Sequence, residues 1–220
     1  MSSSKSASKS TESKKNKKLS SSRVEMKNVS KAYGETWDSE EVLQNISVDF
    51  PAGELTVIVG PSGCGKSTLV NLLAGFERPD EGEVSVDGQL VTGPAQDRMV
   101  VFQETALIPW QTTLENVTFG PKMRGDKKGS SLDQEAKELL VKVGLGEFIH
   151  KFPLQLSGGM QRRVALARAI ALDPEMIMYD EPFVGQDPIG LGVLLSLVKR
   201  LNQALGLTSV VVSHDLQETL

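Results

Sequence analysis

The sequence predicts an α/β fold in which a buried parallel sheet carries one hydrophobic core. Three short apolar runs, 55–59, 176–181 and 208–213, have the length and composition of strands that are covered on both faces, the second of them ending in two carboxylates. The first run passes through a glycine-rich turn into an apolar helical segment that begins near Lys66. A chain of 220 residues, 39% of them hydrophobic, favours one domain with an insertion over two full domains.

The first folded segment alternates polar and apolar residues. Residues 24–27 and 46–50 both show this period of two, which predicts half-buried antiparallel strands. Tyr33 lies between them at the start of a polar loop. It is either an ordinary turn aromatic or a platform for a purine ring, and its position alone favours neither interpretation.

The turn after the first buried strand fits G-x-x-x-x-G-K-[ST], the pattern of a loop that cradles phosphate groups. Its glycines let backbone N–H groups face inward, and the following helix aims its positive dipole end at the same place. We expect Lys66 to reach the β- and γ-phosphates, Ser67 to ligate Mg²⁺, and Thr68 to donate towards the α-phosphate. The residues of this phosphate loop are Gly60, Pro61, Ser62, Gly63, Cys64, Gly65, Lys66, Ser67 and Thr68.

The middle of the chain predicts antiparallel elements, one more buried strand and then helices. Residues 79–82 indicate a turn, 83–86 a strand and 87–88 a tight turn. Residues 99–102 predict a buried strand that delivers Gln103 to the sheet edge where open α/β sheets bind ligands. From about residue 113 to residue 150 the pattern is helical.

A second anion site is predicted where Ser157, Gly158 and Gly159 precede a strongly helical segment at 162–171. A hydroxyl, bare backbone N–H groups and the helix dipole would all favour an anion there, although the pattern is equally typical of an ordinary N-cap. One chain cannot easily fold this segment onto its own phosphate loop, so we expect two chains to share each site.

Charged side chains follow the last two buried strands. Asp180 is suited to hold Mg²⁺ directly or through water, and Glu181 to accept a proton from water that attacks the γ-phosphate. His214 follows the strand at 208–213, where a histidine is as often structural as functional. The leucine-rich stripe at 191–205 has helical spacing and is assigned to the core.

Composition limits the other possibilities. The net charge of −4 and a pI near 5.4 give no reason to expect a nucleic-acid partner. The single cysteine, Cys64, excludes an internal disulfide and a cysteine-based zinc site and fits a reducing compartment. No run approaches the roughly 18 apolar residues of a membrane span, so we expect a soluble chain whose membrane role would need a partner.

Residues 1–22 carry six lysines against Glu12 and present no apolar face. We expect a disordered Ser/Lys-rich tail, because such a segment cannot repay the entropy of ordering. An organelle-targeting peptide and a tether to an anionic membrane are the alternatives.

Together these residues resemble the ATP-binding subunit of ABC transporters over nearly all of residues 23–220. In that resemblance residues 60–68 are similar to the Walker A loop and residues 156–161 to the LSGGQ sequence, with Met160 where the family most often has Gln. The resemblance implies catalytic roles for Glu181, His214, Lys66 and Gln103, and a metal site of Ser67, Gln103 and Asp180. It further implies nucleotide contacts from the adenine-stacking Tyr33, the phosphate loop, Ser157, Gly158, Gly159 and the D-loop residue Asp187.

The resemblance also implies a P-loop NTPase (RecA-like) core with an antiparallel β subdomain and an inserted helical subdomain at about residues 104–165. ATP and Mg²⁺ are the implied cofactors. A second ATPase chain in a head-to-tail dimer and transmembrane permease subunits are the implied partners, with a substrate-binding protein as a further candidate. The implied location is cytoplasmic, on the inner face of the plasma membrane, or alternatively on the stroma side of an organelle membrane. Relatives continue beyond His214, so we expect a C-terminally short domain with an incomplete sheet edge.

Two segments indicate different subfamilies. Residues 98–120 are similar to importers of nitrate, sulfonates and taurine, whereas residues 180–189 are similar to ATPases of Mla-type phospholipid transport. We favour the importer, because in this family the segment after Gln103 contacts the permease and the D-loop faces the other ATPase. A soluble ABC-type ATPase that acts on DNA or ribosomes would be expected to carry a coiled-coil insertion, tandem ATPase units or a basic surface, and none of these is visible in the sequence. A non-hydrolysing regulator would be expected to lack Glu181, Lys66 or His214, and all three are present. Both alternatives are therefore less favoured.

Overall fold

The computed structural model describes residues 21–34, 40–125, 129–185 and 188–214. Nearly all of the Ser/Lys-rich tail, the D-loop residue Asp187 and the segment after His214 lie outside these residues. The expectations for these residues stay predictions. The assignment of residues 104–165 to an inserted helical subdomain also stays a prediction.

The strands form two four-stranded sheets. The antiparallel sheet has the order β2-β1-β4-β5 and contains β1 (Val24–Tyr33), β2 (Glu40–Phe50), β4 (Glu81–Val86) and β5 (Gln89–Leu90). The parallel sheet has the order β3-β8-β7-β6 and contains β3 (Leu55–Val59), β6 (Arg98–Val101), β7 (Met176–Asp180) and β8 (Thr208–Ser213). The predicted α/β fold with a separate antiparallel part is confirmed.

Five helices connect these strands in the described residues: α1 (Lys66–Ala74), α2 (Thr113–Arg124), α3 (Ser130–Lys142), α4 (Gly158–Ile170) and α5 (Pro188–Leu205). Local sequence explains several of their ends. Thr112 and Glu115 form a capping box at the start of α2, and Gly75, at φ 78°, ends α1 in the left-handed conformation. No described helix combines the length and apolar character that a membrane crossing needs.

The two faces of the parallel sheet carry separate parts of the core. Along β7, Met176 and Met178 pack with α1 and the antiparallel sheet, whereas Ile177 and Tyr179 pack with α4 and α5. The alternation explains why the strand is apolar throughout, because both faces are covered. The leucine-rich stripe of α5 joins the second of these groups, as the sequence predicted.

The strands of the antiparallel sheet extend beyond the predicted segments: β1 continues past residue 27 to Tyr33, β2 begins before residue 46 at Glu40, and β4 begins early. The sequence indicated a turn over residues 79–82, but β4 already begins at Glu81. Gly82, at φ 79°, lies so close to β1 that a Cβ there would stand 2.3 Å from the Asn28 carbonyl oxygen. The pairing of β1 with β4 has a register shift at this point. The glycine therefore permits a close approach of the two paired strands and does not form a turn.

Candidate functional site

The predicted chemical groups meet at the carboxyl edge of the parallel sheet. There a cleft of about 510 Å³ opens between the phosphate loop, the ends of β7 and β8 and Gln103, two residues after β6. Its lining includes Ser62, Gly63, Gly65, Lys66, Ser67, Thr68, Gln103, Glu181 and His214, together with Val42 and Val184. Open α/β sheets bind ligands at this edge, so the topology agrees with the expectation for Gln103.

The phosphate loop folds around the amino group of Lys66. This side chain is buried, and its Nζ donates to the carbonyl oxygens of Gly60 at 2.8 Å and Pro61 at 2.9 Å. Gly65, at φ 93°, precedes the helix, and a Cβ there would lie 2.9 Å from the Val42 carbonyl oxygen. Only glycine fits this corner without displacing β2, which is why the loop can turn into α1.

Ser67 and Asp180 form a pair of oxygen donors suited to a hard cation. The Ser67 hydroxyl donates to Oδ1 of Asp180 at 3.1 Å, although the two residues are 113 positions apart. Burial raises the pKa of Asp180, and the Ser67 hydrogen bond opposes that rise only in part. A nearby cation would relieve this penalty. No described cluster of three or more His, Cys, Asp or Glu side chains could hold a metal alone, so phosphate and water oxygens would have to complete a Mg²⁺ site.

Glu181 stands between two nitrogen donors. Its Oε1 lies 3.3 Å from Nζ of Lys66, and its Oε2 lies 2.6 Å from Nδ1 of His214. Burial acts to raise the pKa of Glu181, but the hydrogen bonds from His214 and Lys66 outweigh it and lower the pKa. The residue has φ 50°, unusual for a non-glycine residue, and its backbone N–H donates to the Val212 carbonyl oxygen at 3.0 Å. The backbone is thus held in a strained geometry that turns the carboxylate into the cleft.

The segment containing Ser157 lies at a different cleft. Ser157 caps α4, where its Oγ accepts a hydrogen bond from the Met160 N–H at 3.3 Å. The helix begins at Gly158, directly after Ser157, so the structure shows the N-cap that the sequence offered as one of two interpretations. Ser157, Gly158 and Gly159 line a cleft of about 300 Å³ with Arg163 and Gly185, and none of the three lines the phosphate-loop cleft.

Tyr33 ends β1 and borders the phosphate-loop cleft through Thr68. The Thr68 hydroxyl lies 3.4 Å from the phenol oxygen, which donates to a carboxylate oxygen of Glu77. The Lys31 amino group lies 5.5 Å from the centre of the ring. Tyr33 is nevertheless 41% exposed, so ring surface is available to a ligand.

Sequence reasoning missed three residues of this region: Val42, Val184 and Glu77. Val42 and Val184 line the cleft because of the way β2 and the loop after β7 pass it, and no local pattern marks either of them. Glu77 lies shortly after Gly75, the glycine that caps α1. Only this closeness in sequence to the end of α1 could have suggested a contact with the helix.

Three comparisons agree on the same family. The ABC transporter family model matches residues 43–184. The taurine import ATP-binding protein TauB of Roseobacter denitrificans is 45% identical over 183 residues, which cover 83% of this chain and 68% of that protein. The intermembrane phospholipid transport system ATP-binding protein MlaF of Escherichia coli K12 is 42% identical over 205 residues, which cover 90% of this chain and 75% of that protein.

Solved structures extend the similarity to three dimensions. The dimeric structure of MJ0796, a bacterial ABC transporter cassette, aligns with a TM-score of 0.78 at 35% identity, covering 89% of this chain and 90% of that one. The post-hydrolysis dimer of the same cassette, bound to ADP and Pi, aligns with a TM-score of 0.76 at 34% identity over the same shares.

Proposed function

This chain belongs to the ABC transporter family and is an ATP-binding subunit that hydrolyses ATP, and from that premise we propose that it energises an importer of the taurine, sulfonate and nitrate type. The observation that carries the catalytic part is the convergence of Lys66, Ser67, Glu181 and His214 on one cleft, with Asp180 hydrogen-bonded to Ser67 at its edge. The 45% identity to a taurine import ATP-binding protein supports the importer.

The chemistry of hydrolysis follows from the groups around Glu181. Its carboxylate is the general base that takes a proton from the attacking water, while Lys66 holds the β- and γ-phosphates. Ser67, Asp180 and Gln103 would hold Mg²⁺, which would neutralise charge on the phosphate oxygens. His214 orients Glu181 through its Nδ1–H.

The present contacts of Glu181 keep it a weak base. Hydrogen bonds from His214 and Lys66 lower its pKa, so its affinity for a proton is reduced. When Lys66 turns to a bound phosphate, that contribution is lost and the pKa of Glu181 rises, because burial then has less opposition. Binding of phosphate at Lys66 therefore acts to raise the pKa of Glu181, in opposition to the effect of a cation held beside it at Asp180.

A second ATPase chain completes each site. Ser157 and its glycines face a cleft of their own, which supports a function in a partner's nucleotide site rather than in this chain's own. The similar cassette MJ0796 is described as dimeric. Asp187, outside the described residues, is assigned to the same interface.

A permease contact fits the surface beside Gln103. A cleft of about 500 Å³ is lined by residues of the loop after β6, among them Pro109, and by Leu154, Gln161 and Arg162. Leu154 is 90% exposed, and Trp110, which lies in the loop after β6, is 77% exposed. Large exposed apolar side chains beside a cleft are typical of interaction surfaces. We assign this surface to a transmembrane subunit, which would hold the chain peripherally on the cytoplasmic or stromal side of a membrane, with a substrate-binding protein on the other side.

Phospholipid transport is the second candidate, because MlaF proteins align over 205 residues, 90% of this chain, against 183 residues for the taurine protein. Affinity purification of the chain from membranes, followed by identification of the co-purifying integral protein, separates the two. An importer permease supports the first candidate, and a lipid-transport permease the second. Purification without any integral membrane protein would contradict both.

A further inference from the structure

Glu77 links the end of the antiparallel sheet to the helix of the phosphate loop. One carboxylate oxygen, Oε1, accepts a hydrogen bond from the side-chain amide of Asn71 at 2.8 Å. The other, Oε2, accepts the phenol hydrogen bond of Tyr33. Asn71 lies in α1, the helix that begins at Lys66, so the carboxylate joins Tyr33 to the element that carries the phosphate loop.

The ring of Tyr33 is also fixed from its own strand. Asp80 accepts hydrogen bonds from the Ala32 N–H at 2.8 Å and from Nζ of Lys31 at 2.9 Å. That places the Lys31 amino group 5.5 Å from the centre of the Tyr33 ring, a distance at which a cation attracts an aromatic face. Glu77 thus holds the distal end of a ring whose position near the backbone is already set.

We propose that Glu77 is a positioning residue for nucleobase binding. It holds Tyr33 at a fixed position relative to the phosphate loop, so that a single rigid unit binds both the base and the phosphates of one nucleotide. The inference rests on the proposed adenine platform at Tyr33. A side chain at the end of a strand, 41% exposed, would otherwise lose rotamer freedom when a base stacks on it. Fixing the ring in advance removes that cost from the binding step.

The Tyr33 hydroxyl is suited to this link at any physiological pH. Burial and the hydrogen bond to Glu77 raise the pKa of Tyr33, so the phenol stays protonated and continues to donate. Thr68, whose hydroxyl lies 3.4 Å from the phenol oxygen, gives a second contact between the same ring and α1.

The test compares ADP with pyrophosphate by calorimetry on the full chain, because pyrophosphate lacks the base and neither ligand is hydrolysed at the proposed ATP site. Tyr33→Ala should weaken ADP binding about fivefold to a hundredfold. Glu77→Ala should weaken it about threefold to tenfold and leave pyrophosphate binding within about twofold. Glu77→Gln keeps an acceptor for the phenol and should retain most of the affinity. Tyr33→Phe removes the same hydrogen bond from the other side, so it should show the same selective loss of ADP binding if Glu77→Ala does not fold.

Two controls separate positioning from general stability. Glu77→Ala should cause no further loss when Tyr33 is already replaced by Phe, because the hydrogen bond is absent in that background. Glu83→Ala should leave both affinities unchanged, since this exposed carboxylate lies 3.9 Å from Lys27 on the antiparallel sheet.

Three outcomes would count against the inference. Equal weakening of ADP and pyrophosphate by Glu77→Ala would place its action on the phosphate loop and overturn the positioning role. Unchanged ADP affinity for Glu77→Ala, with a clear loss for Tyr33→Ala, would overturn the inference and leave the adenine platform standing. Unchanged ADP affinity for Tyr33→Ala would refute the platform itself.

Discussion

Replacement of Glu181 by Gln tests the assignment of the general base. The glutamine keeps the volume of the side chain and one carbonyl oxygen between Lys66 and His214, but it cannot accept the proton of the attacking water. General-base catalysis contributes roughly 10²- to 10⁴-fold, so phosphate release should slow by about that factor, equivalent to about 3–5 kcal/mol of transition-state stabilisation.

ATP affinity should remain near the wild-type value or increase. The ion pair between Lys66 and Glu181, with its atoms 3.3 Å apart, competes with phosphate for the lysine, and the substitution removes that competitor. ATP would then persist between two chains, and the variant should accumulate as a dimer. Lys66→Ala should not dimerise, because it weakens the hold on the phosphates themselves.

The assay is phosphate release together with size-exclusion chromatography in Mg²⁺ and ATP. Glu54→Gln is the matched control, because it makes the same change of charge on an exposed residue at the amino end of β3, away from the cleft. Near-normal phosphate release from folded Glu181→Gln would remove Glu181 from the role of base and turn attention to His214.

Three further predictions test the shared site, the core and the electrostatics. Ser157→Arg should leave ATP binding by the monomer intact and abolish hydrolysis, and a rate per chain that stays constant on dilution to monomer would contradict a shared site. Leu140→Ala, at a fully buried position of α3, should lower the free energy of unfolding by about 2–5 kcal/mol in urea melts, whereas Val141→Ala, 65% exposed, should change it by less than about 0.5 kcal/mol. Asp80, whose pKa is lowered by the Ala32 N–H and then by Lys31, should stabilise the fold at pH 7 but not below its folded pKa. The roughly 0.5–1 kcal/mol that Asp80→Asn removes at pH 7 should therefore shrink as the pH falls through the folded pKa of Asp80 and vanish below it, and a difference that does not fall with pH would contradict the assignment.

Strands with strong local patterns could be predicted closely from the sequence. The predicted runs at 55–59 and 208–213 coincide with β3 and β8, because a continuous β-branched run has few alternatives when both of its faces are buried. The start of β4 was wrong for a different reason. There a glycine suggested a turn, but close contact with β1 requires the glycine inside the strand.

The site could be predicted as a set of residues but not as a set of contacts. The sequence placed Lys66, Asp180 and His214 at the ends of strands or turns that a parallel sheet brings to one edge. It could not show that Glu181 contacts both Lys66 and His214, because that depends on strand order and on the positive φ of Glu181. The contact of Glu77 could not be predicted for the same reason, since its partner Tyr33 is 44 positions away at the end of β1.

The strand order also makes β8 the element on which the site depends. This strand lies between β3 and β7, so it separates the strand of the phosphate loop from the strand of the acidic pair. Its last carbonyl oxygens accept the two hydrogen bonds that fix those neighbours: Ser213 accepts from the Gly60 N–H at 3.2 Å, and Val212 from the Glu181 N–H at 3.0 Å. The strained backbone of Glu181 is therefore held by a strand that occurs late in the chain. Both of these hydrogen bonds require β8 to be paired in the sheet, so we expect the cleft to form together with the complete parallel core.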